Sequence, residues 1–254
     1  MNPSAVPLRS AFTAAARAEW AKTASVRGLV AALAATVVST IALGAVACAV
    51  AGDATGESDF DPIRFSFFGV GFGQITAICF GALAMAGEYT HGSIRVSLAA
   101  VPRRGVFYTA KLGVVTGLTL AAGLIAGFGA LFVGQPLLGD AGVGAGAPGA
   151  LRAAVGCGLH LALLALLAAG AAAVLRSPVG TLGLLVPLVC LLSPVLGPDA
   201  LGGAGQFLPD RAGQQMMSAD PDGALGAWSG LGVAALWAVA AAAAGWWALR
   251  RRDA

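Results

Sequence analysis

Charged side chains are scarce in this sequence. Asp, Glu, Lys and Arg make up 11% of its 254 residues, whereas 58% are hydrophobic, and the mean hydropathy is +0.83. An ordinary soluble domain carries about 25% charged residues, because water must solvate its surface. The composition therefore excludes a soluble enzyme and a disordered protein. It predicts an all-α membrane protein, because the apolar runs are long enough for membrane-spanning helices rather than barrel strands.

The sequence also lacks the motifs of several enzyme classes. A P-loop requires Gly-Lys-Ser/Thr, but the only two lysines follow Ala21 and Ala110. The two histidines, His91 and His160, do not form the His-Glu-x-x-His signature of zinc proteases. The four cysteines all lie within apolar runs, which indicates small buried residues rather than a disulfide framework. We therefore expect no catalytic residue, no metal site, no cofactor and no nucleic-acid partner, and an intramembrane enzyme is the weakest alternative.

Six apolar stretches are long enough to cross a membrane as helices. A span needs about 20 residues, because ~30 Å of hydrocarbon is crossed at ~1.5 Å per residue. No charged residue lies in the middle of any stretch, and Pro178 suits the first turn of a helix after a tight hairpin. The predicted spans cover approximately residues 28–51, 65–87, 111–134, 153–175, 179–197 and 228–249.

Basic residues are divided unequally between the two predicted sides of the membrane. Twelve of the 15 lie on the side that holds the N-terminus, residues 88–110, Lys111, Arg176 and the C-terminus. The other side has only Arg64, Arg152 and Arg211. Because positive loops stay in the cytoplasm, we expect a multi-pass protein with both termini cytoplasmic.

Residues 8–27 are predicted to form an amphipathic helix at the membrane interface, in contact with lipid, and Trp20 would sit at headgroup depth. The apolar arc of its helical wheel consists of Leu8, Phe12, Ala15, Ala16 and Trp20. Glu19 projects into that arc, and Lys22, three residues on, is a predicted partner for it. A basic anchor beside the first span is the plainer alternative.

Residues 93–101 are predicted to form a short cytoplasmic helix that Ser93 caps and Pro102 stops. Its apolar residues Ile94, Leu98 and Val101 share one face, whereas Arg95 points elsewhere. Such a helix is suited to docking a soluble partner, and an ordinary basic loop is the alternative.

Glu88 ends the second span, where the helix dipole is negative. Its charge should therefore need a nearby cation. Arg95 and Lys22 are the predicted candidates.

Further predictions concern the interior and the opposite side. Residues 198–227 are too apolar for a free loop and should form re-entrant or interfacial helices packed on the spans. Gln74 and His160 lie within spans, where they either line a substrate path or make a structural interhelical hydrogen bond. Small residues repeat every four positions in the second, third and sixth spans, as is typical of helix packing.

Three stretches resemble the membrane subunits of ABC-2 type ABC exporters, and in particular the actinobacterial permeases that accompany a separate drug- or peptide-export ATPase. They are AEWAK at 18–22 with SVR at 25–27, GEYTHGSIR at 87–95 with PRR at 102–104, and FLPDRAGQ at 207–214. The similarity in length and helix order extends over the whole chain.

The resemblance implies a permease of a bacterial cell membrane that works with two cytosolic ABC ATPase subunits, which would bind ATP and Mg²⁺. The chain would pair with a second copy of itself or with a similar permease, and residues 93–101 would be the coupling helix. The implied coupling residues are Glu88, Ile94, Arg95, Leu98, Val101, Arg103 and Arg104, together with Glu19, Trp20 and Lys22 of the amphipathic helix. The alternative is a stand-alone membrane immunity or stress protein without an ATPase.

A transport path between two such subunits would use the second and fifth spans. The residues predicted to line it are Phe65, Phe68, Phe72, Gln74 and His160. This lining is mostly apolar, which favours a hydrophobic or amphipathic substrate such as a drug, a peptide or a lipid. The alternative is that the phenylalanines face lipid.

Overall fold

The computed structural model of the chain describes residues 8–51, 55–56, 60–90, 97, 99, 103–196, 203–219 and 224–251. These residues are helical, with no strand among them. The α-helices are α1 (Leu8–Ser25), α2 (Arg27–Ala49), α3 (Pro62–Ser66), α4 (Val70–Ala86), α5 (Arg104–Leu137), α6 (Ala150–Leu175), α7 (Pro178–Pro187), α8 (Ser193–Leu196), α9 (Pro209–Gln214) and α10 (Ala227–Arg251). The prediction of an all-helical protein is therefore confirmed for the described part of the chain.

Four helices, α2, α5, α6 and α10, are long and apolar enough to cross a membrane. The second and fifth predicted spans correspond to shorter apolar helices, α4 and the stretch Pro178–Leu192. The second is shorter than predicted because the chain turns at residues 67–69 between α3 and α4. Asp61 caps α3 by accepting hydrogen bonds from the backbone N–H groups of Ile63 and Arg64.

The helix that contains the third predicted span begins earlier in the sequence than that span does. The prediction started it at Lys111, whereas α5 begins at Arg104, two turns earlier, and has 34 residues. At ~1.5 Å per residue it is about 50 Å long, which exceeds the ~30 Å of hydrocarbon. Lys111 therefore lies inside the helix, and only 4% of its surface is exposed. A lysine is accommodated there because carboxylates on neighbouring elements neutralise it.

The central helix of the bundle is α6, which packs against α4, α5 and α10. Of its most apolar stretch, 67% is buried inside the protein, whereas the corresponding figure for α2 is 17%. The outer faces of α2 and α10 therefore remain for lipid, and the polar groups that α6 carries must find their partners within the protein.

Small residues let the helices approach closely, as their four-residue spacing predicts. A Cβ atom on Gly81 of α4 would lie 2.2 Å from the carbonyl oxygen of Ala165 on α6. A Cβ atom on Gly127 of α5 would lie 2.3 Å from the carbonyl oxygen of Ala154 on the same central helix. Backbones at these crossings are in direct contact, so a side chain of any size would separate the helices.

The tight hairpin predicted before the fifth span is present. Arg176 ends α6 in the left-handed conformation with φ 53°, and the hydroxyl of Ser177 accepts a hydrogen bond from the Gly180 N–H at 3.1 Å. Pro178 occupies the first turn of α7, where its missing N–H is not needed. At Pro187 the helix gives way to the π turn Leu188–Leu192, which is the irregularity expected from the proline.

Replacing Gly81 with alanine should destabilise the bundle by about 1–3 kcal/mol, because the new methyl group overlaps the α6 backbone. Gly71 on the same helix is the matched control, since no atom of another described element lies within 4 Å of its Cβ position. Gly71→Ala should leave stability unchanged or raise it by up to about 1 kcal/mol through helix propensity. Thermal unfolding of the purified variants in detergent measures both, and equal effects would contradict the packing account.

Candidate functional site

The amphipathic helix α1 turns one stripe of small and polar residues toward the bundle. It packs along α5, and its buried residues are Ala15, Glu19 and Thr23. Trp20 is 57% exposed and Leu8 is 65% exposed, so the bulky apolar arc faces outward. Glu19 interrupted the apolar pattern in the sequence because it belongs to the inward stripe.

The carboxylate of Glu88 is the centre of a buried ion-pair cluster. Only 1% of Glu88 is exposed, and its Oε1 accepts hydrogen bonds from the Nζ atoms of Lys22 on α1 and Lys111 on α5. Its Oε2 accepts a hydrogen bond from the Ser97 hydroxyl at 2.9 Å. Lys111 Nζ also donates to Glu19 Oε2 at 2.7 Å. We call Glu19, Lys22, Glu88 and Lys111 the ion-pair cluster.

The cluster corrects one predicted pairing and supports another. Glu19 pairs with Lys111 on a different helix rather than with Lys22, three residues away on its own helix. Glu88 does bind Lys22, which was one of the two cations predicted for it. Lys111 was predicted only as the first residue of the third span, so its place between two carboxylates was missed.

The electrostatics of the cluster keep Glu88 ionised. Burial alone would raise the pKa of its carboxyl group, but Lys111 and Lys22 outweigh that effect, and the pKa lies below its ordinary value of 4.5. Two carboxylates and two ammonium groups leave the cluster formally neutral. Removing one buried partner would leave an uncompensated charge, which is costly where water is excluded.

The use of lysine rather than arginine at both cationic positions of the cluster is visible in the sequence. The chain has 13 arginines and only two lysines, and both lysines are in the cluster. An ammonium group is a compact point charge that can sit between two carboxylates, whereas a guanidinium is a planar fork. In a chain that otherwise uses arginine, this exception marks a site with a steric demand.

The cluster joins the parts of the chain that the resemblance assigns to coupling. It connects α1, the end of α4, the beginning of α5 and the segment that contains Ser97, where Ser97 and Ala99 are helical. The predicted coupling residues Ile94, Arg95, Leu98 and Val101 lie outside the described residues. Arg103 precedes α5 in extended conformation.

Other cations close the same end of the bundle. Arg104 Nη1 donates to the carbonyl oxygen of Leu249 on α10 at 3.0 Å. The guanidinium of Arg176, in the hairpin after α6, lies 5.2 Å from the ring centroid of Tyr89, the neighbour of Glu88. We call the end of the bundle that holds the ion-pair cluster, Arg104 and Arg176 the basic end. Its contacts bring together segments that the charge pattern assigned to one side of the membrane.

The predicted path residues separate into two groups. Gln74 and His160 meet in the interior, where His160 Nε2 and Gln74 Oε1 are 3.2 Å apart, so the interhelical hydrogen bond exists. Gln214 Nε2, which the sequence reasoning missed, donates to the same Gln74 oxygen at 3.2 Å. Phe68 and Phe72 instead lie on the outer surface, 58% and 48% exposed.

Phe65 is half-buried, and its ring centroid is 5.2 Å from that of Phe60. The structure therefore does not bring the three phenylalanines to the buried polar pair. Within the described ranges, no group of three or more His, Cys, Asp or Glu side chains is arranged to hold a metal ion.

Of the segment 198–227, the described residues 203–219 form the 3₁₀ turn Ala204–Phe207, α9 and the 3₁₀ turn Gln215–Met217, all packed on other helices.

Comparison with protein-family models, curated proteins and solved structures finds no match for this chain.

Replacing Lys111 with methionine should destabilise the protein by about 3–5 kcal/mol, because Glu19 loses its buried cation and Glu88 loses one of two. Lys22→Met is the matched control. Lys22 bonds the same Glu88 oxygen, but its side chain is 42% exposed, so its loss should cost at most about 1 kcal/mol. Thermal or denaturant unfolding in detergent distinguishes the two variants. Equal losses of stability in the two variants would show that the burial of a lysine does not determine how much its ion pair stabilises the protein.

The lowered pKa of Glu88 predicts how stability depends on pH. A depressed pKa in the folded state means that the stabilising charge is fully present above pH 4.5 and is lost as the pH falls toward the folded-state pKa. Glu88→Gln has no such charge to lose, so its melting temperature should fall less steeply below pH 4.5 than that of the wild type. Melting curves between pH 7 and pH 3 test this, and parallel pH profiles would contradict it.

Proposed function

We propose that this chain is the permease subunit of an ATP-driven exporter in a bacterial cell membrane, and that separate cytosolic subunits hydrolyse the ATP. The observation that carries the proposal is the ion-pair cluster. Glu19, Lys22 and Glu88 belong to two of the three stretches that resemble ABC-2 type permeases, and in the structure they bond to one another through Lys111 and directly. Three of the residues that the resemblance assigns to coupling are thus members of the ion-pair cluster.

The cluster is suited to transmitting movement. Ser97 lies in the predicted coupling helix and hydrogen-bonds to Glu88, which in turn bonds to α1 and α5. Because every cluster member is held by a charged partner on another element, a displacement at residue 97 would move α1, α4 and α5 together. An ATPase docked on residues 93–101 would thereby act on the ends of three helices.

The proposed topology has six spans, with the basic end in the cytoplasm. Residues 62–86 contain α3 and α4, and residues 178–196 contain α7, the π turn and α8. At ~1.5 Å per residue the 17 residues of α4 extend over roughly 25 Å and residues 178–196 over roughly 28 Å, both close to the hydrocarbon thickness. The concentration of Lys and Arg at the basic end supports its cytoplasmic placement and that of both termini.

Thiol labelling tests the topology. In a chain whose four native cysteines are replaced by alanine, Gly142→Cys should react with an impermeant maleimide added to intact cells. Arg103→Cys should react only after the cells are permeabilised, which controls for burial of that site. Labelling of the cysteine at position 103 in intact cells would overturn the orientation.

A hydrophobic or amphipathic substrate, such as a drug, a peptide or a lipid, fits this chain best. The large side chains on the outer surface of the second span are apolar, and Phe68 and Phe72 are about half exposed. An ion would need several oxygen ligands at mid-depth. Gln74 is 4% exposed, its amide oxygen already accepts two hydrogen bonds, and it is therefore closed to such a ligand.

The decisive test of the proposed function is an ATPase partner that depends on residues 93–101. ABC ATPases of the host bacterium are co-expressed one at a time with the tagged chain, and co-purification and substrate-stimulated ATP hydrolysis are measured. Leu98→Asp should reduce both at least tenfold, because burying a leucine of the docking face contributes ~1.5–3 kcal/mol.

The matched control for that variant is Ala99→Asp. It adds the same charge one residue away, outside the predicted apolar face, at a position that is exposed. It should leave assembly nearly normal. If no ATPase co-purifies with the wild-type chain, or if both variants behave alike, the chain is better explained as a stand-alone membrane protein.

A further inference from the structure

Residues 203–219, which we call the outer segment, are inserted into the bundle. Here α9 and the 3₁₀ turn Gln215–Met217 pack against α6 and α10. Met216 is fully buried, and a Cβ atom on Gly156 of α6 would lie 2.5 Å from the Met216 Cβ. The segment reaches His160, ten residues into α6, which corresponds to a depth of about 15 Å below the first residue of that helix.

At that depth the outer segment meets a polar pair rather than apolar side chains. Gln214 Nε2 and His160 Nε2 both bond to Gln74 Oε1, each at 3.2 Å. A carbonyl oxygen only accepts, so His160 carries its proton on Nε2, and its Nδ1 is an unprotonated acceptor. One oxygen on α4 therefore holds both the central helix and the outer segment.

The fit between Gly213 and His160 is close. A Cβ atom on Gly213 would lie 2.2 Å from His160 Nδ1, so only glycine allows the outer segment to seat against the ring. Among the described residues that nitrogen has no hydrogen-bond partner, although His160 is completely buried. An unsatisfied buried acceptor destabilises the seated state, and movement of the segment would let water reach it.

Other hydrogen bonds attach the outer segment to neighbouring elements. Arg211 donates from Nε and Nη2 to the carbonyl oxygen of Ser193, at 2.9 and 2.7 Å. The backbone N–H of Ala219 donates to Asp61 Oδ2 at 2.7 Å. These hydrogen bonds are shorter than the two hydrogen bonds to Gln74.

We propose that Gln74, His160 and Gln214 form a polar latch that keeps the outer segment seated in the bundle, and that release of this latch lets the segment move outward and open the exit of the transport path. The role in transport rests on the proposed function. The latch itself does not, because it is a property of the isolated chain.

Amide hydrogen exchange of the purified chain in lipid nanodiscs tests the latch without any ATPase. Gln74→Leu and Gln214→Leu each remove the central bond, and exchange of residues 209–217 should become about three- to tenfold faster. Gly213→Ala should have the same effect, because its methyl group collides with the His160 ring. Exchange within α6 should stay unchanged in all three variants.

Gln206→Leu is the matched control. Gln206 lies in the same outer segment, but its amide oxygen accepts from the backbone N–H of Ala224 and not from the bundle. It should leave exchange at residues 209–217 unchanged. The latch is overturned if the Gln74 and Gln214 variants exchange like the wild type, or if α6 is accelerated as much as α9. A chain that passes this test but binds no ATPase would refute the exporter and not the latch.

Discussion

Burial of the Glu88 carboxylate is the constraint on which the basic end of this protein depends. A charge that is 1% exposed requires cations at contact distance, and they must come from elements that would otherwise be independent. Lys22 ties α1 to the end of α4, and Lys111 ties α5 to both. The inward face of α1 and the early start of α5 follow from this requirement, because each places a charged side chain where the carboxylate needs it.

Away from the basic end, the bundle is held by contacts of a different kind. Backbones touch where Gly81 and Gly127 meet α6. The association of the helices depends on such close packing, because in lipid the hydrophobic effect gives little driving force for helices to associate. The ion-pair cluster is strong and closed, whereas the Gln74–His160–Gln214 contact consists of two long hydrogen bonds. The two ends of the bundle are therefore held by contacts of different kinds, charged and buried at the basic end, neutral and longer at the other.

Much of the helical organisation could be predicted from local pattern, and most of the side-chain pairing could not. Apolar length located the four long helices, Ser177-Pro178 located the hairpin, and the four-residue glycine spacing located the crossings. The predicted third span began at Lys111 because an isolated charge ends a predicted span. Its burial inside α5 is tolerable only because two carboxylates, Glu19 and Glu88, which are 92 and 23 residues away, neutralise it. Gln214 was missed for the same reason, since its partner Gln74 is 140 residues away.

The central claim is that the ion-pair cluster passes movement from residues 93–101 to the spans. The most direct measurement is the number of substrate molecules exported per ATP hydrolysed, in proteoliposomes that contain the chain and the proposed ATPase partner. Glu88→Gln keeps the size of the side chain and removes its charge. The account predicts that this variant assembles and hydrolyses ATP but exports several-fold less substrate per ATP than the wild type. An unchanged ratio in an assembled complex would contradict it.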